Sequence, residues 1–203
     1  MPVTVWGGLS IVSLLRNAPT EFTTGGLWSI LIVELVFSAI LVPVLRARGA
    51  KLAAFTLPLE TRDALRGVGV LFLCLGAYYT AWYASALLLG SSTMGQIAQI
   101  RLNSRAPIPL RITVAAVDPV FEESLFVAYP AVALAARGAP AVVVLSVALR
   151  VVVHLYQGPL ALVSIAPFGL VSIVYYLRTR RLWPVIASHV MQDVLAFLTL
   201  PGS

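Results

Sequence analysis

The sequence predicts an all-α fold, a polytopic transmembrane helical bundle of about six spans. Three observations carry this. Hydrophobic residues make up 60% of the 203-residue chain and charged residues 11%, with a mean hydropathy of +0.94. A soluble domain is nearer half apolar and a quarter charged. Such an excess exceeds what one globular core of this size can bury, so lipid becomes the solvent. Next, the apolar residues are gathered into runs close to the 20 or so residues a helix needs to cross a bilayer. Finally, the basic residues sit mostly in the short connectors between those runs.

Taken in order, the first span covers about 27–45 and the second about 67–89. The third covers about 112–135, the fourth about 139–156, the fifth about 160–176 and the sixth about 182–200. Residues 3–15 are apolar but short, and read as an interfacial helix or partial span. Residues 1–20 lack the basic start, long apolar stretch and small-residue cleavage site of a signal peptide. Targeting is therefore expected from the first span. Residues 91–109 form the most polar stretch, a loop or surface helix. No internal repeat or second domain is visible, so 1–203 reads as one membrane domain.

Orientation follows from the connectors. Arg46, Arg48, Lys51, Arg62 and Arg66 lie between the first two spans, Arg137 between the third and fourth, and Arg178, Arg180 and Arg181 between the fifth and sixth. These hold nine of the fourteen basic residues. The positive-inside tendency puts these connectors in the cytoplasm and both termini outside. The net charge of +6 is therefore no argument for a nucleic-acid partner. The lone cysteine, Cys74, excludes an internal disulfide and any multi-cysteine metal site, and its apolar run makes it a small core residue.

Within the predicted spans lie Glu34, Glu122, Glu123, Arg150, His154, His189 and Asp193. Each costs roughly 2.5–3.5 kcal/mol at the bilayer centre on insertion scales, so such groups face a bundle interior or water. Six of the seven fall in the last four spans, which predicts one shared polar cavity lined by Glu122, Glu123, His154 and His189. Glu34, far from the others in sequence, reads as structural or interfacial. Asp118-Pro119 reads as a helix start or kink, because Asp is a good N-cap and proline suits a first turn. Glu122 and Glu123 point about 100° apart on a helix, so they have different tasks. Arg150 and His154 share one helix face at a four-residue spacing, as do His189 and Asp193. Two carboxylates and two histidines on three helices can hold a hydrolytic water, around a metal or by direct base catalysis. A single intramembrane histidine is as often a structural hydrogen-bonder, so the set carries the reading rather than either one.

Three patterns then converge. Pro119-x-x-Glu122-Glu123-x-x-Phe126, His154 in the next span, and Trp183-Pro184-x-x-x-x-His189-x-x-x-Asp193 resemble the three motifs of the CPBP intramembrane endopeptidases. That is the CAAX prenyl protease and bacteriocin-processing family. The resemblance covers about 112–200, leaving 1–111 as N-terminal spans and connectors. It implies a membrane endopeptidase in which Glu122 and His154 activate water, while His189 and Asp193 stabilise the oxyanion or complete the site. It leaves zinc on Glu122, His154 and His189 and a metal-free glutamate mechanism both open. Its implied substrate is a membrane-tethered peptide, a prenylated CAAX protein or leader peptide, at the cell membrane. The competing readings are an inactive adaptor or immunity protein of the same fold, and a small transporter using the carboxylates as a relay, against which the absence of inverted repeats in the sequence counts.

Two departures stand out. Val127 occupies the place of the family's arginine, with Ala128 where glycine is common, and Arg150 occupies the place of a phenylalanine four before the histidine. This reads as an exchange, with Arg150 pairing Glu123 first and Asp193 second. The span boundaries put His154 and His189 toward opposite ends of their helices. Shared chemistry then requires a break, for which Gly158-Pro159 is the expected place.

Overall fold

The computed structural model of the protein describes residues 21–47, 58–92, 103–104, 106–157 and 161–199. The expectations for 1–20, for most of the polar stretch 91–109 and for Gly158-Pro159 fall on residues outside that set. The architecture is all-α apart from a two-residue parallel bridge, β1 (Glu21–Phe22) against β2 (Asn103–Ser104).

Helices occupy all six predicted spans. α1 is Thr24–Ala47, α2 is Asp63–Leu89, and α3 is Ile108–Glu123. A π-helical turn, Ser124–Ala128, joins α3 to the short α4, Tyr129–Ala133. α5 is Ala139–Val153, followed by the 3-10 turn Leu155–Gln157. A second π-turn, Ala161–Ile165, leads into α6, Ala166–Thr179, and α7 is Trp183–Thr199. By length and composition α2 and the helical stretch Leu162–Thr179 can cross a membrane, while Thr24–Ile40 and Ala139–Val153 are apolar but shorter.

The side chains agree with a lipid solvent. Leu65, Phe72, Leu87, Leu88 and Val144 all point outward, Leu87 with 87% of its surface exposed. Large contiguous apolar exposure is unusual in a water-soluble monomer.

Two expectations about the third span are corrected. The helix does not begin at Asp118. It begins at Ile108, just after Pro107, and runs through Pro119 without ending there. Asp118 is thus interior to α3 and caps nothing. Pro107 and Pro109 supply the start signal that Asp118-Pro119 mimics. The break comes after the carboxylates, at the π-turn. Such insertions often accompany functional sites. Pro130 lacks the N–H that would reach the Phe126 carbonyl in an α-helix, and the Ser146 hydroxyl of α5 donates to that carbonyl instead.

Packing sets the frame. α7 lies against both α2 and α3, α6 against α2 and α5, and α1 against α3. The largest apolar cluster joins Val127, Ala128 and Ala131 to Val142, Ile173, Tyr176 and Ile186. Where α2 crosses α7 there is no room for a side chain at Gly67. A Cβ there would lie 2.7 Å from the Ala187 Cβ and 3.1 Å from the Pro184 carbonyl oxygen. Small residues permit such close helix approach in membranes.

At one end of the bundle a charge cluster clamps the chain entering α2 to the α6–α7 turn. Asp63, only 1% exposed, accepts from Arg181 through both oxygens, at 2.8 and 2.7 Å, and from Arg66 at 2.9 Å. Glu60 accepts from Arg181 at 2.6 Å and from Arg66 at 2.7 Å. Two of the connector arginines are therefore structural. Arg180, at φ 56°, caps α6 in a left-handed conformation, its N–H donating to the Tyr176 carbonyl.

Candidate active site

Three helices deliver the site. Glu122 and Glu123 end α3, immediately before the π-turn. Arg150 sits in the last turn of α5, and His154 is its C-terminal cap. His189 and Asp193 lie one turn apart on α7. The depth mismatch expected for the histidines does not arise, since both Nε2 atoms come within 4.0 Å of the Glu122 carboxylate. α5 stops at Val153, and the chain turns there.

The two glutamates diverge as adjacent helical residues must. Glu123 is fully buried, and its Oε1 accepts from Arg150 Nη2 at 2.6 Å and from His189 Nδ1 at 2.7 Å. Glu123 is not among the cavity-lining residues, contrary to expectation. It stands behind the cavity and ties α3, α5 and α7 together. Arg150 is 1% exposed and is held on its faces by Phe126 and Phe168, whose ring centroids lie 5.3 and 4.6 Å from its Cζ. A guanidinium stacks well on aromatic faces. Its stem passes over Gly169, where a Cβ would be 3.2 Å from Arg150 Cδ. Val127, by contrast, is wholly inside the apolar cluster. The arginine expected to pair Glu123 does so from α5, with Glu122 rather than Asp193 as its next acidic neighbour, at 3.7 Å.

Glu122 faces the cavity together with both histidines. Its Oε1 lies 3.9 Å from His154 Nε2 and its Oε2 lies 4.0 Å from His189 Nε2. The other ring nitrogens fix the tautomers. His154 Nδ1 is 2.8 Å from the Arg150 carbonyl oxygen, and a carbonyl can only accept, so Nδ1 carries the proton. His189 Nδ1 likewise donates to Glu123. Both rings therefore turn Nε2 toward Glu122. This is the outer-shell orientation that prepares imidazoles as ligands or proton acceptors. Asp193 Oδ1 lies 3.5 Å from His189 Nε2.

The gaps between these groups can be set against the spacings of a bound zinc and of a bound water. Ligand atoms of a tetrahedral zinc site lie about 3.4 Å apart, given bonds of 2.0–2.1 Å. Here the Glu122 gaps of 3.9 and 4.0 Å are wider. Among the described residues, no group of three His, Cys, Asp or Glu has metal-holding geometry. One water with two hydrogen bonds of about 2.8 Å spans about 4.4 Å, so the observed gaps fall between the two spacings. Glu122 Oε2 is buried without a hydrogen-bond partner.

The cavity encloses about 470 Å³ and its walls are mainly apolar, with Leu71, Leu75 and Phe121 among them. Sequence reasoning missed four of its groups or their supports. Phe168 contacts both Arg150 and His189, the latter edge-on at 4.9 Å. Tyr156 stacks on His154 at 6.0 Å. Neither aromatic carries a sequence signal. Glu34 is corrected from a structural role remote from the cluster, since α1 brings it to the cavity wall, hydrogen-bonded to Asp118. Asp118 precedes Glu122 by four residues, and that spacing was the available signal.

Residues 104–195 match the model of the Rce1-like family, described as type II CAAX prenyl endopeptidase Rce1-like. The match spans α3 to α7 and includes every residue of the three motifs. No curated protein and no solved structure matches the chain.

Proposed function

From the match of residues 104–195 to the Rce1-like family model of CAAX prenyl endopeptidases, we propose that the chain is a multi-pass intramembrane endopeptidase of the cell membrane. Its substrate on this reading is a membrane-tethered peptide, a CAAX-type prenylated protein or a leader peptide. The observation that carries the proposal is the convergence of two oriented imidazole Nε2 atoms on the Glu122 carboxylate, 3.9 and 4.0 Å away.

In the proposed reaction, one water lies between Glu122 and His154. It donates one hydrogen to Glu122 Oε1 and the other to His154 Nε2, which leaves a lone pair for the scissile carbonyl. Glu122 takes the proton as the C–O bond forms. His189, protonated at Nε2, donates to the developing oxyanion while its Nδ1–H stays on Glu123. Arg150 holds Glu123 in place and contributes positive charge 3.7 Å from Glu122. The apolar wall suits an isoprenoid or acyl tether and excludes bulk water. A zinc mechanism would require Glu122, His154 and His189 to draw together by about half an ångström.

The test is cleavage of a farnesylated CAAX peptide in liposomes by the purified protein, with and without a chelator. Release of the terminal tripeptide, unchanged by chelator, is the expected result. Loss of turnover on chelation would establish the metal route. No cleavage of tethered peptides of either class would contradict the proposal.

A further inference from the structure

The cavity holds a second pair of carboxyl groups. Glu34, from α1, is 4% exposed and hydrogen-bonds Asp118 of α3, and both line the same cavity as Glu122. Ionised carboxylates can only accept hydrogen bonds. A carboxyl–carboxyl hydrogen bond therefore contains a proton. Glu34 Oε2 is buried with no partner of its own. The groups facing this pair are Glu122 on α3, His189 and Asp193 on α7, and Tyr156 after α5. Asp118 and Glu122 are four apart, on one helix face.

Hydrolysis of an amide has a requirement that Glu122 alone meets slowly. The amine leaves only if its nitrogen receives a proton, while Glu122 is occupied in taking one from water. We propose that the Glu34–Asp118 dyad donates the proton that the leaving amine takes. This rests on the endopeptidase reading above. The C–O bond forms as Glu122 accepts a proton from water. The C–N bond breaks as the dyad's proton passes to nitrogen. The proton on Glu122 then moves through water to the emptied dyad, one helical turn away. One water is consumed, a carboxylic acid and an amine are formed, and no other reactant is needed. Glu34 lies outside the stretch matched to the family, so this donor is a contribution of the N-terminal helices.

The dyad is tested by changing the leaving group. A farnesylated CAAX peptide is compared with its analogue carrying sulfur in place of the scissile nitrogen. A thiolate leaves without a proton, because its conjugate acid has a pKa of about 8.5. Glu34→Gln and Asp118→Asn are each expected to slow amide cleavage about 100-fold or more, in the range of general-acid effects. Thioester cleavage should change less than about threefold, which also shows the variants are folded. Glu122→Gln should slow both substrates. In the wild type, amide turnover should fall as pH rises and the dyad loses its proton, with no matching fall for the thioester. Equal slowing of both substrates by Glu34→Gln, or unchanged amide turnover, would overturn the dyad while leaving Glu122 in place. Should either variant fail to fold, the wild-type pH comparison decides, and parallel profiles would overturn it. Thioester turnover surviving Glu122→Gln would instead remove the endopeptidase reading and the dyad with it.

Discussion

Glu122 and Glu123 are adjacent, and their surroundings could hardly differ more. Glu123 has charge-assisted contacts to Arg150 and His189 at 2.6 and 2.7 Å, whereas the nearest charged partner of Glu122 is Arg150 at 3.7 Å. A carboxylate spent on holding its neighbours is a scaffold. One left unpaired toward a cavity is available for chemistry. Glu123→Gln is therefore expected to lower stability, because it leaves the Arg150 guanidinium buried without its counter-charge. Breaking a buried pair from one side costs about 3–5 kcal/mol. Thermal unfolding in detergent would show it, and an unchanged midpoint would contradict the scaffold role. The Arg150–Glu123 pairing was legible in the sequence, because seven ionisable residues in apolar runs need partners and only Arg150 was available to a glutamate. The placement of Glu34 was not legible. Its partner Asp118 is distant in the chain, and no local pattern reports a contact between α1 and α3.

Elements explain what single residues do not. The sequence predicts six spans; helices occupy all six stretches, and among the described residues two helical stretches are long and apolar enough to cross a membrane. The interruptions were harder to read. Asp118-Pro119 carries a helix-start signature, yet Pro107 and Pro109 win because the helix they open already spans the later site. The π-turn at Ser124–Ala128 has no composition cue beyond Pro130 and needs Ser146 from another helix. The α2–α7 crossing offers a direct check. Gly67→Ala places a methyl against Ala187 and the Pro184 carbonyl, so the helices must separate. Overpacking of this kind costs about 1–3 kcal/mol, and the expected result is a lower unfolding temperature with reduced activity, since α7 carries His189. Unaltered stability would mean the crossing is looser than the 2.7 Å approach indicates. The charge clamp makes a second prediction. The Arg66 hydrogen bond, with Arg181 beside it, holds the Glu60 carboxyl below the usual carboxylate range. A carboxyl depressed on folding stabilises above its unfolded value of about 4.3 and loses that contribution as pH falls through the folded value. Unfolding temperature should therefore drop below about pH 4, and Arg181→Gln should flatten that drop. An acid profile identical in the variant would exclude the clamp as its source.

At the scale of the molecule, an outward-facing apolar surface surrounds a cavity of about 470 Å³ whose mainly apolar walls carry the ionisable site residues. The stretch 104–195 supplies the family motifs, while α1 and α2 add cavity walls and the charge clamp. Three connectors hold most of the basic residues, and two of these, Arg66 and Arg181, also lock the entry to α2. Composition made the lipid environment legible. The cavity itself was legible only as a requirement, because its shape depends on how α1, α3 and α7 cross. The central claim is that Glu122 is the base that activates water. The measurement that tests it most directly is the turnover of a farnesylated CAAX peptide by Glu122→Gln in liposomes, read beside its thermal unfolding. Gln keeps the shape but takes no proton, so turnover should fall by at least about 100-fold with little change in unfolding temperature. Turnover near the wild-type rate in a fully folded Glu122→Gln protein would contradict the account.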